Sequence, residues 1–187
     1  MKKKWGFLRE TKELAQKAGI DKDTGLHRNG LDEYLNVIFP HVNDWIHDKS
    51  IDLDGKKYRP DYRSETLKLI VEFDGLPHYT NPQNILNDIE KTEFYKKHEY
   101  KVVRIPYFIQ LSNSVVKSLF NVNVKEELFD EKIPSLGIQG RNTPAFLCVA
   151  GIIRMKEEFK KFPRQYEVNK KALIKENNPY LTGVDLI

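Results

Sequence analysis

Three carboxylates stand close together in the sequence, next to apolar runs. Asp61 follows a proline, ten residues separate it from Glu72, and Asp74 comes two positions later in the run Leu-Ile-Val-Glu-Phe-Asp. Successive side chains of a strand point to opposite faces, so Glu72 and Asp74 share one face. Neighbouring carboxylates repel each other unless a positive group lies between them. The spacing therefore favours a divalent metal ion, with Asp61 brought across from a partner strand.

Such acids can serve more than one purpose. Mg²⁺ takes one or two carboxylates from a protein together with waters, and it can polarise a phosphoryl oxygen and activate a bound water. A carboxylate pair can also act as acid and base without a metal, as in glycosidases. The third interpretation is that the acids lie on a solvated strand face and have no chemical role.

The first elements around these acids follow from apolar periodicity and turn residues. Apolar residues at helical spacing predict a helix over 31–39, and Asp54-Gly55 indicates a hairpin within 51–59. The second arm of this hairpin leads to Pro60-Asp61, and a further strand is predicted over 67–74. The acids are thus expected where two antiparallel strands end.

A crossover follows the acidic strand. A helix over 82–98 and a strand over 101–106 make the two strands parallel neighbours in one sheet. In this helix we expect Ile85, Leu86 and Ile89 to face the core. Further helices are predicted over 8–18, 112–119, 145–162 and 165–176. The expected fold is α/β, with a mixed β-sheet core flanked by helices and a C-terminal helical extension.

The composition indicates a single globular domain. The chain has 187 residues, a formal charge of +4 and one cysteine, Cys148, which we expect to be a core thiol. We divide it into a basic segment 1–30, a core 31–110, and a helical extension 111–187 of the same domain. A disulfide framework, a signal peptide and a membrane span are all absent from the sequence, so we expect a cytoplasmic protein. The mild positive charge permits a polyanionic partner without requiring one.

The pattern Pro-Asp, ten residues, then Glu-Phe-Asp after an apolar strand resembles the PD-(D/E)xK nuclease superfamily, which has the restriction-endonuclease-like fold. Within it, the run Val-Glu-Phe-Asp-Gly-Leu-Pro-His over 71–78 and the later Val-Val-Arg-Ile look like the very-short-patch-repair-like branch. The resemblance covers about residues 31–110. It implies a Mg²⁺-dependent endonuclease of restriction or repair type that hydrolyses DNA, with Mn²⁺ as a possible substitute.

The resemblance also implies roles for particular residues. Asp61 would bridge to the metal and Glu72 would be the second acidic ligand. The family's usual lysine is replaced by Asp74, which would be another metal contact. The catalytic role of the family's lysine would then pass to His78 or to Lys91 in the following helix. Glu33, in the first core helix, would be an extra metal ligand, although an acid in a first helical turn is also explained by the helix dipole.

Double-stranded DNA is the expected partner, and a homodimer or a larger complex is possible. The expected DNA contacts are Lys57, Arg59, Arg63, Tyr79 and Arg141. Contacts of this kind to phosphates position a duplex without reading its sequence. Two alternatives stay open: a catalytically inactive module that binds nucleic acid or a partner, and a nuclease that cleaves RNA.

Overall fold

The structure is a computed structural model that describes residues 31–136, 143–177 and 182–187. The basic segment 1–30, with its predicted helix over 8–18, lies outside the described residues, as does Arg141. In the described ranges, no helix combines the length and the apolar character that crossing a membrane requires.

Within the described residues one helix precedes five strands, two helices and a sixth strand come next, and three helices follow it. The helices are α1 (Leu31–Ile38), α2 (Pro77–Thr80), α3 (Pro82–Lys97), α4 (Asn113–Phe120), α5 (Val149–Lys161) and α6 (Pro163–Glu176). The strands are β1 (Ile46–His47), β2 (Ile51–Leu53), β3 (Lys56–Tyr58), β4 (Tyr62–Ser64), β5 (Leu69–Asp74) and β6 (Lys101–Pro106).

Four strands form a mixed sheet in the order β1-β4-β5-β6. Strand β4 is antiparallel to both of its neighbours, and Tyr62 lies opposite Val71. Strands β5 and β6 are parallel, and Glu72 lies beside Arg104. Strands β2 and β3 form a separate two-stranded hairpin. The protein is therefore a mixed α/β structure, as predicted, and the parallel crossover around α3 is confirmed.

The alternation of side chains along β5 divides the core in two. Leu69, Val71 and Phe73 belong to the large hydrophobic cluster, which also includes buried residues of α1, α4, α5 and α6. Ile70 belongs to a smaller cluster with Tyr95 of α3, on the opposite face of the sheet. Glu72 and Asp74 share the Ile70 face, so the acids point to the side of the sheet that α3 covers.

Local capping explains where two helices begin. Pro82 occupies the first turn of α3, and the Asn81 side chain accepts a hydrogen bond from the Gln83 amide at 2.9 Å. In the same way the Ser112 side chain caps α4. Helix α3 begins at the predicted residue and ends one residue early, whereas α4 is shifted by one residue.

Several predicted boundaries are wrong. The second strand of the hairpin, β3, ends at Tyr58 and does not continue to Asp61. The next strand, β4, begins at Tyr62. Strand β5 starts at Leu69 rather than at 67, since Lys68 has a positive φ and closes a turn on Glu65. The sequence pattern missed β1 altogether.

The C-terminal helices also differ from expectation. Residues 145–148 are not helical with α5: a 3-10 turn covers Pro144–Phe146, and α5 begins only after Cys148, which caps it. Cys148 is half-buried rather than part of the core. Helix α6 begins at Pro163, two residues earlier than predicted. On α3, Leu86 and Ile89 are 60% and 57% exposed, so only Ile85 of the three predicted core residues is buried.

Candidate active site

Asp61 and Glu72 form a buried carboxylate pair where β4 begins. The antiparallel register that places Tyr62 opposite Val71 sets Asp61 beside Glu72. One Glu72 oxygen, Oε2, accepts a hydrogen bond from the Asp61 amide at 3.2 Å, and Asp61 Oδ2 accepts one from the Phe73 amide at 2.8 Å. The two side chains are 8% and 7% exposed. The backbone of the strand pair thus holds both carboxylates in place.

The second Glu72 oxygen has no such partner. Oε1 is buried and accepts no hydrogen bond from any described residue. Burial and the neighbouring Asp61 carboxylate raise the pKa of Glu72 to about 7, although the Arg104 guanidinium opposes the rise. An unpartnered buried carboxylate oxygen beside a second carboxylate is a site that a cation would stabilise.

Tyr95 of α3 adds a second unpartnered polar atom on the same face. Its hydroxyl is buried without a hydrogen-bond partner among the described residues. Burial and the Glu72 carboxylate raise the pKa of Tyr95, which shows that the two groups are electrostatic neighbours. A buried hydroxyl normally has a hydrogen-bond partner. This face of the sheet therefore holds a donor, the Tyr95 hydroxyl, and an acceptor, Glu72 Oε1, that both lack a partner among the described residues.

Asp74 lies in a different environment from Glu72, although the two share one strand face. Its carboxylate binds two arginines, Arg104 of β6 and Arg154 of α5. The Arg104 Nε atom donates to Asp74 Oδ2 at 2.7 Å. Asp74 is fully buried, and the two guanidinium groups compensate its charge.

The same two arginines also bind Asp88 of α3. Asp88 Oδ1 lies 2.9 Å from Arg104 Nη2, and Asp88 Oδ2 lies 2.7 Å from Arg154 Nη1. Although burial alone would raise it, the hydrogen bond from His78 and the Arg104 charge lower the pKa of Asp88 to about 2. The network therefore ties the end of β5 to α3, β6 and α5.

His78 of α2 completes this network. Its Nδ1 atom lies 2.8 Å from Asp88 Oδ2 and 3.6 Å from Asp74 Oδ1. Burial lowers the pKa of His78, but the bond to Asp88 and the Asp74 charge raise it above its ordinary value overall. The side chain is 32% exposed, and its Nε2 atom has no hydrogen-bond partner among the described residues. His78 can therefore offer Nε2 to a ligand while Asp88 fixes its ring.

Asp74, His78 and Asp88 also have the composition of a metal site, because three of their ligand atoms lie within 4.8 Å of one another. All four carboxylate oxygens, however, already bind a guanidinium group. Two fixed cations repel a third, and a metal here would have to displace both of them. The Asp61–Glu72 pair is the better metal site, because no arginine forms an ion pair with the Glu72 carboxylate among the described residues.

Helix α5 packs very closely against the backbone of α2. A Cβ atom at Gly151 would lie 1.6 Å from the carbonyl oxygen of Tyr79, so only glycine allows α5 to pack there. One turn later, the Arg154 guanidinium stacks over the Tyr79 ring at 4.8 Å. The Tyr79 hydroxyl donates to Glu158 Oε2 at 2.5 Å. The C-terminal extension thus supplies charged groups to the end of β5.

Lys91 lies on the side of α3 that faces the sheet. Asp88 and Tyr95, three residues before it and four after it, are buried on that side. Tyr95 packs with Ile70, and Arg104 links Asp88 to Asp74, so Lys91 lies on α3 between two residues that contact the sheet. Lys91 is half-buried and forms no ion pair within the described residues.

The remaining predicted residues do not converge on the pair. Glu33 is exposed on α1, and none of its described contacts links it to Asp61 or Glu72. Lys57 is exposed on β3, where a polyanion can reach it. Arg59 binds Asp48 at 2.7 Å, and Arg63 binds Glu65 at 3.3 Å.

The expected DNA contact from Tyr79 is wrong. The residue is fully buried, and its hydroxyl is already bonded to Glu158. A side chain in the interior of the protein cannot lie against a nucleic acid. Residues 77–80 form the short helix α2, and Tyr79 is its buried residue.

Sequence reasoning also missed both arginines of the network. Arg104 stands in the apolar run Val-Val-Arg-Ile, and a charge in a buried strand requires an ion partner, so that signal was present. Arg154 carried no such signal, because it is the first of several basic residues in a helix with a basic second half and its partner Asp74 is 80 residues away.

The donor set at Asp61 and Glu72 fits a hard divalent cation. It consists of two carboxylates, one of which has an unpartnered buried oxygen and a raised pKa. Oxygen donors of this kind suit Mg²⁺ or Mn²⁺ rather than metals that prefer sulfur or imidazole.

Comparisons with protein-family models, with curated proteins and with solved structures gave no match to this chain.

Proposed function

We propose that the protein is a metal-dependent endonuclease that hydrolyses phosphodiester bonds in DNA. The observation that carries the proposal is the buried Asp61–Glu72 pair, in which one Glu72 oxygen lacks a partner and the carboxyl pKa is raised to about 7. The pair lies at the end of two antiparallel strands, at the spacing that resembles PD-(D/E)xK nucleases.

The order of elements supports the same proposal. A helix precedes antiparallel strands that carry the acids, and a crossover helix leads to a parallel strand. This is the restriction-endonuclease-like order that the sequence resemblance implies. We include that fold in the proposal.

In this proposal Asp61 and Glu72 hold Mg²⁺, or Mn²⁺ in its place. When bound, the ion supplies a Lewis acid for a phosphoryl oxygen and lowers the pKa of a water ligand. Lys91, which lies on α3 between the buried residues Asp88 and Tyr95, provides the positive charge that Asp74 cannot. His78, with its ring fixed by Asp88, exchanges a proton at Nε2 with the reacting groups.

A second candidate is a catalytically inactive module that binds nucleic acid or a protein partner. The observation in its favour is Asp74, which stands where the family pattern has a lysine and is enclosed by Arg104 and Arg154. In such a module the acids would have only a structural role. Calorimetric titration with Mg²⁺ separates the two candidates: the module should not bind the ion, whereas the nuclease should bind it through Glu72.

The direct test is cleavage of supercoiled plasmid with Mg²⁺, and of matched single-stranded DNA and RNA. We expect the wild type to nick or cut DNA and Asp61→Asn to lose activity by at least about a hundredfold, because removing a group that stabilises charge in a transition state costs that much or more. Glu127→Gln is the matched control, since it neutralises an exposed carboxylate far along the chain.

Three outcomes would count against the proposal. Equal cleavage by the wild type and Asp61→Asn would indicate a contaminating nuclease. An absence of cleavage on every substrate, together with an absence of Mg²⁺ binding, would favour the inactive module. Faster turnover of RNA than of DNA would keep the metal site and change the substrate.

A further inference from the structure

The charge of the chain is distributed unevenly. Residues 31–148, which include the acid pair, carry 15 Lys and Arg against 18 Asp and Glu, a net charge of −3. Residues 149–176, which form α5 and α6, carry 8 Lys and Arg against 4 Asp and Glu, a net charge of +4. Net charge therefore favours contact of a polyanion with the second region over the first.

Part of this positive charge forms a line along α6. Arg164, Lys171 and Lys175 are seven and four residues apart, which places them on one side of a helix. The buried side of α6 is formed by Gln165, Asn169 and Leu173, so the basic residues point away from the core. Lys161, the last residue of α5, lines the same cleft as Arg164. We call these four residues the basic stripe (Lys161, Arg164, Lys171 and Lys175).

Three residues of the basic stripe are not neutralised. Lys161, Lys171 and Lys175 are exposed and form no ion pair with described residues, whereas Arg164 binds Glu131 at 3.1 Å. The stripe is about 16 Å long from Arg164 to Lys175 at the helical rise. Lysines without acidic partners, arranged in a line of this length, match the repeating charges of a phosphate backbone.

The helices that carry the stripe are fixed to the core. The Asn169 side chain donates to the Phe108 carbonyl at 2.9 Å and accepts from the Ser135 amide at 2.8 Å. Arg154 binds Asp74 and Asp88 at the end of β5. The basic stripe therefore keeps a constant position relative to the acid pair.

We propose that the basic stripe is the surface on which the protein holds the phosphate backbone of a nucleic acid. This inference rests on the proposed function for the choice of partner, because the acid pair suits a phosphodiester substrate. An anionic membrane surface is the other polyanion that lysines attract. It is less suited to this protein, because the exposed side of α6 lacks the continuous apolar face with which amphipathic helices enter lipid.

The test measures binding without cleavage. A short labelled DNA duplex is titrated in EDTA, over a range of salt concentrations, and its fluorescence anisotropy is recorded. We expect Lys171→Gln/Lys175→Gln to bind about tenfold more weakly or worse at roughly 0.1 M salt and to lower the slope of log K against log salt by about two. The charge-matched control is Lys125→Gln/Lys132→Gln, at exposed lysines of the acidic region, which should bind like the wild type.

One further variant makes the result specific. Lys171→Arg/Lys175→Arg keeps the charge and should restore binding, while a loss in this variant too would overturn the inference. Equally weak DNA binding by the two double variants with glutamine would also overturn the inference, because it would show that only the net charge of the protein matters. Binding to phosphatidylserine vesicles that depends on the stripe, without binding to DNA, would assign the surface to a membrane.

The inference and the proposed function can fail separately. Asp61→Asn should lose cleavage and keep the wild-type affinity for DNA. If the stripe binds DNA but no substrate is cleaved, hydrolysis is refuted and the binding surface stands. If DNA is cleaved by the stripe variants with unchanged affinity, the binding surface is refuted and hydrolysis stands.

Discussion

Glu72 combines near-complete burial with a carboxylate neighbour and an oxygen that has no described partner. Its ionisation therefore costs free energy in the folded protein that it does not cost in the unfolded chain. A bound cation would remove that cost. The folded protein thus stores, at one residue, part of the free energy that makes metal binding favourable.

The raised pKa of Glu72 makes the stability of the metal-free protein depend on pH. Glu72 has a pKa of about 7 when folded and an ordinary value of 4.5, so between these values the folded state binds more protons than the unfolded state. The free energy of unfolding should therefore fall as the pH rises from 4.5 to 7, by about 3 kcal/mol from this residue. Urea denaturation in EDTA at pH 5 and pH 8 measures it.

The control is Glu72→Gln, which cannot ionise and should lose this part of the pH dependence. Its difference from the wild type isolates Glu72 from His78, whose raised pKa also makes the folded state less stable as the pH rises. Parallel pH profiles for the two proteins would contradict the expected burial penalty.

Lys91 is the residue that we expect to replace the missing motif lysine. If it supplies charge during the reaction, Lys91→Met should lower the cleavage rate by about 10²- to 10³-fold while Mg²⁺ still binds. Single-turnover kinetics and calorimetry report the two quantities separately. Lys97→Met, at an exposed lysine of the same helix, is the control.

Unchanged cleavage by Lys91→Met would transfer the role to His78. His78→Gln would then be expected to flatten the pH profile of the rate, because glutamine does not exchange protons. A residue with only a structural function would change the stability and leave that profile intact.

At the scale of elements, the contact between α5 and α2 depends on a single missing side chain. Gly151→Ala places a Cβ atom against the Tyr79 backbone, so we expect a loss of stability of at least about 2 kcal/mol, of the size seen for overpacking in a core. Chemical denaturation measures the change. Gly75→Ala is the matched control, because its Cβ would lie 3.7 Å from Pro77, an ordinary contact. Equal effects of the two substitutions would contradict the close approach.

Elements with local signals were predictable from the sequence. Alternation placed Glu72 and Asp74 on one face, and the Asp54-Gly55 turn placed the hairpin. Leu86 and Ile89 were assigned to the core because helical periodicity identifies apolar residues without saying which of them a neighbour covers. Ile89 borders a groove of about 400 Å³ between α3 and α5, which the sequence could not indicate because the packing of distant helices creates it.

In the candidate site, too, the features set by local sequence were predictable and those set by distant residues were not. The pairing of Asp61 with Glu72 follows from two strands joined by a tight turn, so local sequence sufficed. The enclosure of Asp74 did not follow, because it depends on Arg104 and Arg154, 30 and 80 residues further along the chain. Those distances involve tertiary contacts that no local pattern encodes.

At the scale of the whole molecule, Mg²⁺ should stabilise the fold. A ligand that binds only the folded state at one hundred times its Kd adds about 2.7 kcal/mol. We expect this gain, measured by thermal or urea unfolding at pH 8, in the wild type and in His78→Gln, and its loss in Asp61→Asn. The reverse pattern, loss in His78→Gln alone, would assign the ion to Asp74, His78 and Asp88.

The ion pair between Asp74 and Arg154 also bears on the order in which the protein is made. Synthesis produces Asp74 80 residues before Arg154, its partner on α5, and Arg104 alone is available during most of that interval. A nascent chain therefore holds an undercompensated charge at the end of its central strand until α5 leaves the ribosome. Asp74 therefore gains its second cation only when α5 docks against the end of β5, after residues 149–161 have been made.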